Sequence, residues 1–90
     1  MAPSWTLVLA ASAERSLERL PHKVAAAAVE FMLGPLIEDP RRVGHPLRRE
    51  LAGLWSARKG AYRIISEMNE PEHQVQVVRI DHRSDVYRRH

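Results

Sequence analysis

The spacing of apolar residues changes in the middle of this chain, and that change limits the possible folds more than any other feature. Between residues 13 and 33 the apolar residues recur at the three-to-four-residue interval of helices, whereas after residue 50 they follow the pattern of strands. An apolar run at residues 5–10 predicts one further strand before the helices. Ninety residues allow one domain at most. We therefore predict a single α+β domain over residues 1–90, with the order β-α-α-β-β-β and a two-helix hairpin packed on a mainly antiparallel, four-stranded sheet.

Local signals place the boundaries of these elements. Ser12 is predicted to cap a helix over residues 13–20, and Pro21 ends it. A second helix is expected from residue 22 or 23 to about residue 33, with Gly34-Pro35 weakening its end or Leu36-Ile37 prolonging it. A basic loop over residues 38–50 and a turn at Lys59-Gly60 follow from their proline, glycine and charged content. The remaining strands are predicted at residues 51–58, 61–68 and 73–80, with a polar tail from Asp81.

The composition excludes several kinds of site. Cysteine is absent, which rules out disulfides, thiolate metal sites and cysteine nucleophiles, and is compatible with a cytoplasmic protein. The five histidines are scattered, none of them lies four residues from another on a helix, and no metal or other cofactor is expected. The sequence contains no GxSxG, P-loop, GxGxxG or HExxH motif. No apolar run approaches the roughly 18 residues of a membrane helix, and the apolar N-terminal stretch is too short for a secretory signal, so no membrane partner is expected.

The basic residues are almost all arginines. Twelve arginines accompany only two lysines, Lys23 and Lys59, and the formal net charge is +3 at pH 7. The planar guanidinium carries a fork of donors that suits phosphate and carboxylate groups, whereas an ammonium is a point charge. This bias predicts an anionic partner, either a nucleic acid or an acidic protein.

Two arginines flank the predicted turn of the hairpin. If Arg58 and Arg63 enclose a two-residue turn, both side chains point to the same face of the sheet, whereas a three-residue loop would separate them. Two like charges on one face are unfavourable unless an anion lies between them, which suggests a phosphate site. The alternative is that both arginines are solvated or are paired with Glu67 or Asp81.

The C-terminal tail carries a second set of reactive side chains. His82 carries an imidazole, which could act as a general acid or base. Tyr87 could stack on a base or hold a phosphate or ribose oxygen. The alternative is a charged terminus in which Tyr87 only anchors the tail to the core.

Three segments, in the same order as the predicted elements, resemble one protein family. Residues 53–67, Gly-Leu-Trp-Ser-Ala-Arg-Lys-Gly-Ala-Tyr-Arg-Ile-Ile-Ser-Glu, resemble a hairpin of the form G-L-[WY]-x-x-R-x-G-x-Y-R-[IV]-[IV]-Y. Residues 81–88 are similar to a closing pattern x-H-R-x-x-[VI]-Y, and residues 34–48 are similar to the loop that follows the second helix. Both patterns and that loop are those of the RelE/ParE superfamily of toxins, so the resemblance spans nearly the whole chain.

The RelE branch implies a specific activity. Its members are toxins of type II toxin–antitoxin modules and endoribonucleases that cut mRNA in the ribosomal A site without a metal. By this resemblance Arg63 stabilises the charge that develops on the phosphate, and Arg83 is a second phosphate ligand. Tyr87 matches the tyrosine that orients the substrate or exchanges protons with it. Arg58 matches a basic strand position that assists binding. If the chain is such a nuclease, the mRNA and the rRNA around it are also expected to be contacted by Arg41, Arg42, Arg48, Arg49 and Lys59.

The sequence also departs from the family pattern. Some RelE proteins carry catalytic lysines on the first strand of the hairpin, where this chain has Leu54 and Ser56. The general base is therefore open, with His82 as the first candidate and Glu67 as the second.

The resemblance leaves other functions open as well. A ParE-like inhibitor of DNA gyrase would use the same scaffold without phosphate chemistry, and a catalytically weakened member would bind only its antitoxin. The expected partners are a RelB-like antitoxin, with which the chain could form a hetero-oligomer, and the ribosome with its mRNA.

Overall fold

The core of the fold is one mixed sheet. The structure, a computed structural model, describes residues 4–82. Over these residues the sheet has five strands in the order β1-β5-β4-β3-β2, with β1 parallel to β5 and the other pairs antiparallel. The strands are β1 (Thr6–Leu9), β2 (His45–Pro46), β3 (Leu54–Lys59), β4 (Tyr62–Asn69) and β5 (Gln74–His82). The α+β class is confirmed, and the four expected strands are all present.

The additional strand β2 lies in the segment predicted to be a loop. His45 pairs with Ser56 and Pro46 pairs with Trp55, so β2 extends the sheet beyond β3. Two residues are too few to produce a period-two pattern, and proline is typical of loops and edge strands, so the sequence carried no strand signal here. The prediction of four strands was therefore one too few, because it missed this short edge strand.

Helices α1 (Ala11–Glu18) and α2 (His22–Phe31) follow β1. Helix α1 begins two residues earlier than predicted because Ser12 is not its cap: Ala10 holds the N-cap position and no side chain caps it. The Ser12 hydroxyl donates instead to the carbonyl oxygen of Val78 on β5, at 2.5 Å. This bond ties α1 to the sheet.

The end of α2 is wider than a regular helix. Residues Met32–Leu36 form a π-helical turn that contains Pro35. Proline has no N–H to donate to the preceding turn, so the chain widens there rather than continuing as a regular α-helix. The turn continues to Leu36, in agreement with the expectation that the apolar residues after Gly34-Pro35 prolong the helix. A short helix α3 (Pro40–Val43) then leads into β2, and a 3-10 turn (Arg49–Leu51) leads into β3.

The helices cover one face of the sheet, which we call the core face. Buried side chains of β4 and β5 meet buried side chains of α2 and the π-helical turn in one cluster; its larger members include Phe31, Met32, Leu36, Tyr62, Ile64, Val75, Val77 and Ile80. Strand β5 keeps its apolar residues on this face despite a bulge. Ile65 pairs with Arg79 but Ser66 pairs with Val77, so Val78 is an extra residue that shifts the alternation.

Candidate functional site

The opposite face of the sheet, which we call the open face, carries the charged residues of the hairpin. None of the described residues whose side chains lie on it belongs to the core cluster. Its central row crosses three strands, because Arg58 pairs with Arg63 and Arg63 pairs with Asp81. Residues directly opposite in an antiparallel pair share a face, with Cβ atoms about 4.5–5.5 Å apart. Two guanidinium groups and one carboxylate therefore lie side by side.

A two-residue turn sets this arrangement. Lys59 pairs with Tyr62, so only Gly60 and Ala61 lie between the strands. Gly60 has a φ of +59°, which glycine adopts without the steric cost that a side chain would carry. The prediction that a two-residue turn places Arg58 and Arg63 on one face is confirmed. The turn lies one residue later than predicted, and Lys59 is the last residue of β3.

The carboxylate in this row is bound by another arginine. Arg79 Nε donates to Asp81 Oδ1 at 2.9 Å, and both residues lie on the open face of β5. Within residues 4–82 neither Arg58 nor Arg63 forms an ion pair, and both are exposed. The alternative in which these arginines pair with Glu67 or Asp81 does not hold in the described part of the chain.

Beside the charged row the open face has a buried patch. Ile65 is 5% exposed and Ser56 is 2% exposed, and the two residues are paired across β3 and β4. The Ser56 hydroxyl oxygen is buried and forms no hydrogen bond with any described residue. His45 on β2 pairs with Ser56 and is exposed, so an imidazole lies on the open face one strand beyond Arg58.

The structure does not bring His82 together with the hairpin arginines. His82 pairs with Tyr62, so its side chain lies on the core face and is only 9% exposed. Its neighbour Asp81 takes the open face because side chains alternate along a strand. Glu67 does lie on the open face, but four residues along β4 from Arg63, which is about 13 Å at the usual rise of a strand.

The other predicted substrate-binding residues lie at the two ends of β3. Arg48 and Arg49 are exposed at the 3-10 turn before β3, and Arg49 has a φ of +61°. Lys59 is exposed at the end of β3, on the same side as Tyr62. Arg83 and Tyr87 lie outside the described residues.

Arg41, one of the basic residues of the loop, is paired with other residues of the fold. It forms an ion pair with Glu70, and its guanidinium lies 5.4 Å from the ring centre of Trp5. Trp5 in turn stacks on His73, with ring centres 4.1 Å apart. These contacts join the start of β1 to α3 and to the turn between β4 and β5, so Arg41 has a structural role.

Tyr62 fixes the hairpin to α2. Its hydroxyl donates to the carbonyl oxygen of Ala27 at 3.1 Å, and its ring meets Phe31 edge to face. Burial raises the pKa of the Tyr62 hydroxyl, and the negative charge of Glu30 adds to the increase. Because Arg63 follows Tyr62 directly, this anchor also holds the position of the arginine.

The described residues contain neither a metal-binding group nor a membrane-spanning helix. Within residues 4–82, no three histidine, aspartate or glutamate side chains form a group that could hold a metal ion. No helix in that range is long and apolar enough to cross a membrane.

Sequence reasoning missed three features of the open face. These are the bond between Arg79 and Asp81, the buried Ser56 hydroxyl, which has no hydrogen bond within residues 4–82, and the position of His45. The bond between Arg79 and Asp81 could have been predicted, because residues 79 and 81 of one strand point to the same face. The other two depend on the pairing of β2 with β3, for which the sequence has no signal.

Comparison with known proteins agrees with the fold and with the hairpin pattern. Residues 7–87 match the family profile described as the ParE toxin of the type II toxin–antitoxin system parDE. The chain is 47% identical over 85 residues to Toxin RelG of Mycobacterium tuberculosis, covering 94% of this chain and 98% of that protein. It is 48% identical over 84 residues to Toxin RelE of the same organism, covering 93% of this chain and 87% of that protein.

Solved structures show the same architecture. A chain of the toxin–antitoxin complex RelBE2 from Mycobacterium tuberculosis superposes with a TM-score of 0.89 at 44% identity, covering 90% of this chain and all of that chain (100%). The isolated RelE toxin of E. coli superposes with a TM-score of 0.72 at 19% identity, covering 93% of this chain and 92% of that chain. The second likeness concerns the fold alone.

Proposed function

The chain belongs to the ParE toxin family of type II toxin–antitoxin systems, within the RelE/ParE superfamily, and on this premise we propose that it is a ribosome-dependent endoribonuclease that cleaves mRNA in the A site. Its identity to Toxin RelG and Toxin RelE makes it a RelE-like toxin. The finer proposal concerns what the toxin does, and it rests on the open face.

One observation carries the proposal: Arg58 and Arg63 face each other on the open face without an ion pair among the described residues. Two cations at this separation repel each other, and an anion between them removes the repulsion. A phosphodiester fits this place because each guanidinium can donate two parallel hydrogen bonds to phosphate oxygens. Inhibition of a protein target would require no such pair.

In the proposed reaction the mRNA supplies its own nucleophile. The 2′-oxygen loses its proton and forms a bond to the adjacent phosphorus, while the bond from phosphorus to the 5′-oxygen breaks. The products are a 2′,3′-cyclic phosphate and a 5′-hydroxyl, and the departing oxygen takes up a proton. Arg63 stabilises the negative charge that builds up on the non-bridging oxygens, and Arg58 helps to hold the phosphate. Arg83 is proposed as a further phosphate ligand, and Tyr87 is proposed to orient the substrate or to exchange protons with it.

The proton acceptor needs to reach the substrate on the open face. His82 lies on the core face, whereas His45 is exposed on the open face beside the arginine row. An imidazole suits proton transfer near neutral pH, and we place His45 ahead of His82 and Glu67 for this role.

The remaining basic residues would bind the RNA around the cut. Arg48, Arg49 and Lys59 are exposed and have no ion pair within residues 4–82. Contacts of this kind neutralise phosphates and release counterions, so binding weakens steeply as salt rises.

The proposed partner that controls the toxin is a RelB-like antitoxin. Solved structures similar to this chain include toxin–antitoxin complexes, among them RelBE2 from Mycobacterium tuberculosis. An acidic or amphipathic segment of the antitoxin would cover the exposed arginines of the open face and exclude RNA, and the assembly would be a hetero-oligomer of toxin and antitoxin.

Inhibition of DNA gyrase is the second candidate, and the description of the matching family as a ParE toxin favours it. A toxin of this kind would act by binding a protein, so the open-face arginines would matter only through binding.

Cell-free translation separates the two candidates. The purified chain is added to a translating extract, mRNA ends are mapped by primer extension, and supercoiling by gyrase is measured in parallel. Cuts inside the A-site codon that disappear with Arg63→Ala support the nuclease. The matched control is Arg15→Ala, which removes the same charge from an exposed position on α1. Intact mRNA together with blocked supercoiling would favour the gyrase inhibitor.

A further inference from the structure

The carboxylate of Asp81 lies beside the proposed phosphate site, where it could interfere with substrate binding. Asp81 pairs directly with Arg63 across β4 and β5, within the distance at which the two side chains can form an ion pair. An Arg63 engaged by a carboxylate would have fewer donors for a phosphate, and the negative charge would repel the RNA. The open face therefore needs something that holds Asp81 away from Arg63.

Arg79 supplies that contact. It lies two residues before Asp81 on the same face of β5, and its Nε donates to Asp81 Oδ1 at 2.9 Å. Asp81 is the ion-pair partner of Arg79 and not of Arg63, although it is a neighbour of both on the open face. Because the contact uses Nε, it leaves the two terminal nitrogens of Arg79 out of this bond.

We infer that Arg79 is a positioning residue: by binding the Asp81 carboxylate it keeps that carboxylate away from Arg63, which stays available for the phosphate of the RNA. The inference deepens the proposed nuclease function and rests on it for its effect on cleavage. The side chains of Arg79 and Asp81 are 58% and 37% exposed, and exposed ion pairs contribute little free energy. The difference in free energy between the two possible ion pairs is therefore small, and one substitution can reverse the preference.

The neighbouring groups are compatible with this balance. Ile65, which pairs with Arg79, is buried and uncharged, so it offers the guanidinium no other partner. Arg58 lies on the far side of Arg63 and repels it, which favours a pairing of Arg63 with any free carboxylate. Loss of Arg79 would therefore lead Asp81 to pair with Arg63.

A double-mutant cycle tests the inference. Single-turnover cleavage of ribosome-bound mRNA is measured for the wild type, Arg79→Ala, Asp81→Asn and the double variant. Arg79→Ala alone is expected to lower the rate by up to about fivefold, the scale of one exposed ion pair. In the Asp81→Asn background the same substitution is expected to have no effect, because no carboxylate remains to occupy Arg63.

The cycle also separates this role from a simple effect of charge. If Arg79 acts only through its net charge or by touching RNA itself, Arg79→Ala lowers the rate by the same factor in both backgrounds, and the inference is overturned. An unchanged rate for Arg79→Ala alone overturns it too.

A second measurement does not depend on cleavage. Side-chain Nε–Hε signals of the full chain are followed by NMR, and slow hydrogen exchange is expected at Arg79 in the wild type and at Arg63 in Arg79→Ala. Exchange at Arg63 that stays fast in Arg79→Ala overturns the inference. If the wild type cleaves no mRNA, the proposed function fails while this measurement still decides whether Arg79 controls the pairing of Arg63.

Discussion

Arg58 and Arg63 lie directly opposite each other across the hairpin of β3 and β4, on the face of the sheet away from the core. Two adjacent guanidinium groups without an ion pair among the described residues form an incomplete site, because an anion is needed to offset their repulsion. This pair is the geometric basis of the proposed phosphate chemistry.

Removal of Arg63 should abolish most of the activity. Arg63→Ala is expected to lower single-turnover mRNA cleavage by about 10²–10³-fold, the usual loss when one preorganised donor to a developing charge is removed. Arg58→Ala should cost less because Arg58 is proposed to assist binding. When the chain is expressed alone, Arg63→Ala should likewise relieve growth arrest more than Arg58→Ala.

The charge-matched control for both variants is Arg15→Ala on α1, which should leave cleavage unchanged.

The proposed phosphate ligand of the tail is tested by Arg83→Ala, which is expected to relieve growth arrest. Full toxicity of both Arg63→Ala and Arg83→Ala would contradict the phosphate site.

His45 is predicted to transfer a proton during cleavage. His45→Gln should slow the chemical step by about 10²-fold or more, within the range of general acid–base catalysis, with little change in RNA binding. His22→Gln is the matched control, because His22 is an exposed histidine at the start of α2. Equal rates for His45→Gln and His22→Gln would remove His45 from the mechanism.

The hairpin turn should require glycine at position 60. Gly60 has a φ of +59°, so Gly60→Ala places a side chain in the left-handed region and is expected to lower the free energy of unfolding by about 1–2 kcal/mol. Gly34→Ala is the comparison, since a Cβ there meets no atom within 4 Å and the residue does not have a positive φ. Chemical denaturation of both variants measures the difference. A Gly60→Ala protein as stable as Gly34→Ala would contradict the turn geometry.

Tyr62 is predicted to make stability fall at alkaline pH. Its pKa is raised in the folded chain, so above pH about 10 the unfolded chain loses this proton while the folded chain retains it. The contribution to stability is therefore complete below the unfolded pKa and is lost as pH rises through the folded pKa. Urea denaturation at pH 9 to 11 should show a steeper decline for the wild type than for Tyr62→Phe.

Tyr62→Phe also tests the anchor itself. At neutral pH it should cost about 0.5–1.5 kcal/mol, because the hydrogen bond to the carbonyl of Ala27 is lost. Identical pH profiles for the two proteins would show that Tyr62 ionises equally well in both states.

The local pattern of residues was sufficient to predict the longer helices and strands and the hairpin of β3 and β4. Alternation in strands and the three-to-four-residue spacing in helices depend on neighbours in the chain, so the order of the predicted elements could be read directly. The shared face of Arg58 and Arg63 followed only on the condition of a two-residue turn, which the structure supplies. Helix ends were less well determined. The Ser12 hydroxyl bonds Val78 on a distant strand instead of capping α1, and no neighbouring residue indicates that choice.

The faces of residues far apart in sequence depended on the tertiary structure. A shift of one residue in the pairing of β4 with β5 would exchange the faces of Asp81 and His82, because the side chains of a strand alternate. The bulge at Val78 and the observed register place Asp81 beside Arg63 and bury His82. The pairing of β2 with β3 likewise brings His45 to the open face. The sequence alone determined the order of the longer elements and that Arg58 and Arg63 share a face if the turn has two residues. The pairing of the strands and their packing against the helices decided the turn and which further side chains join the two arginines.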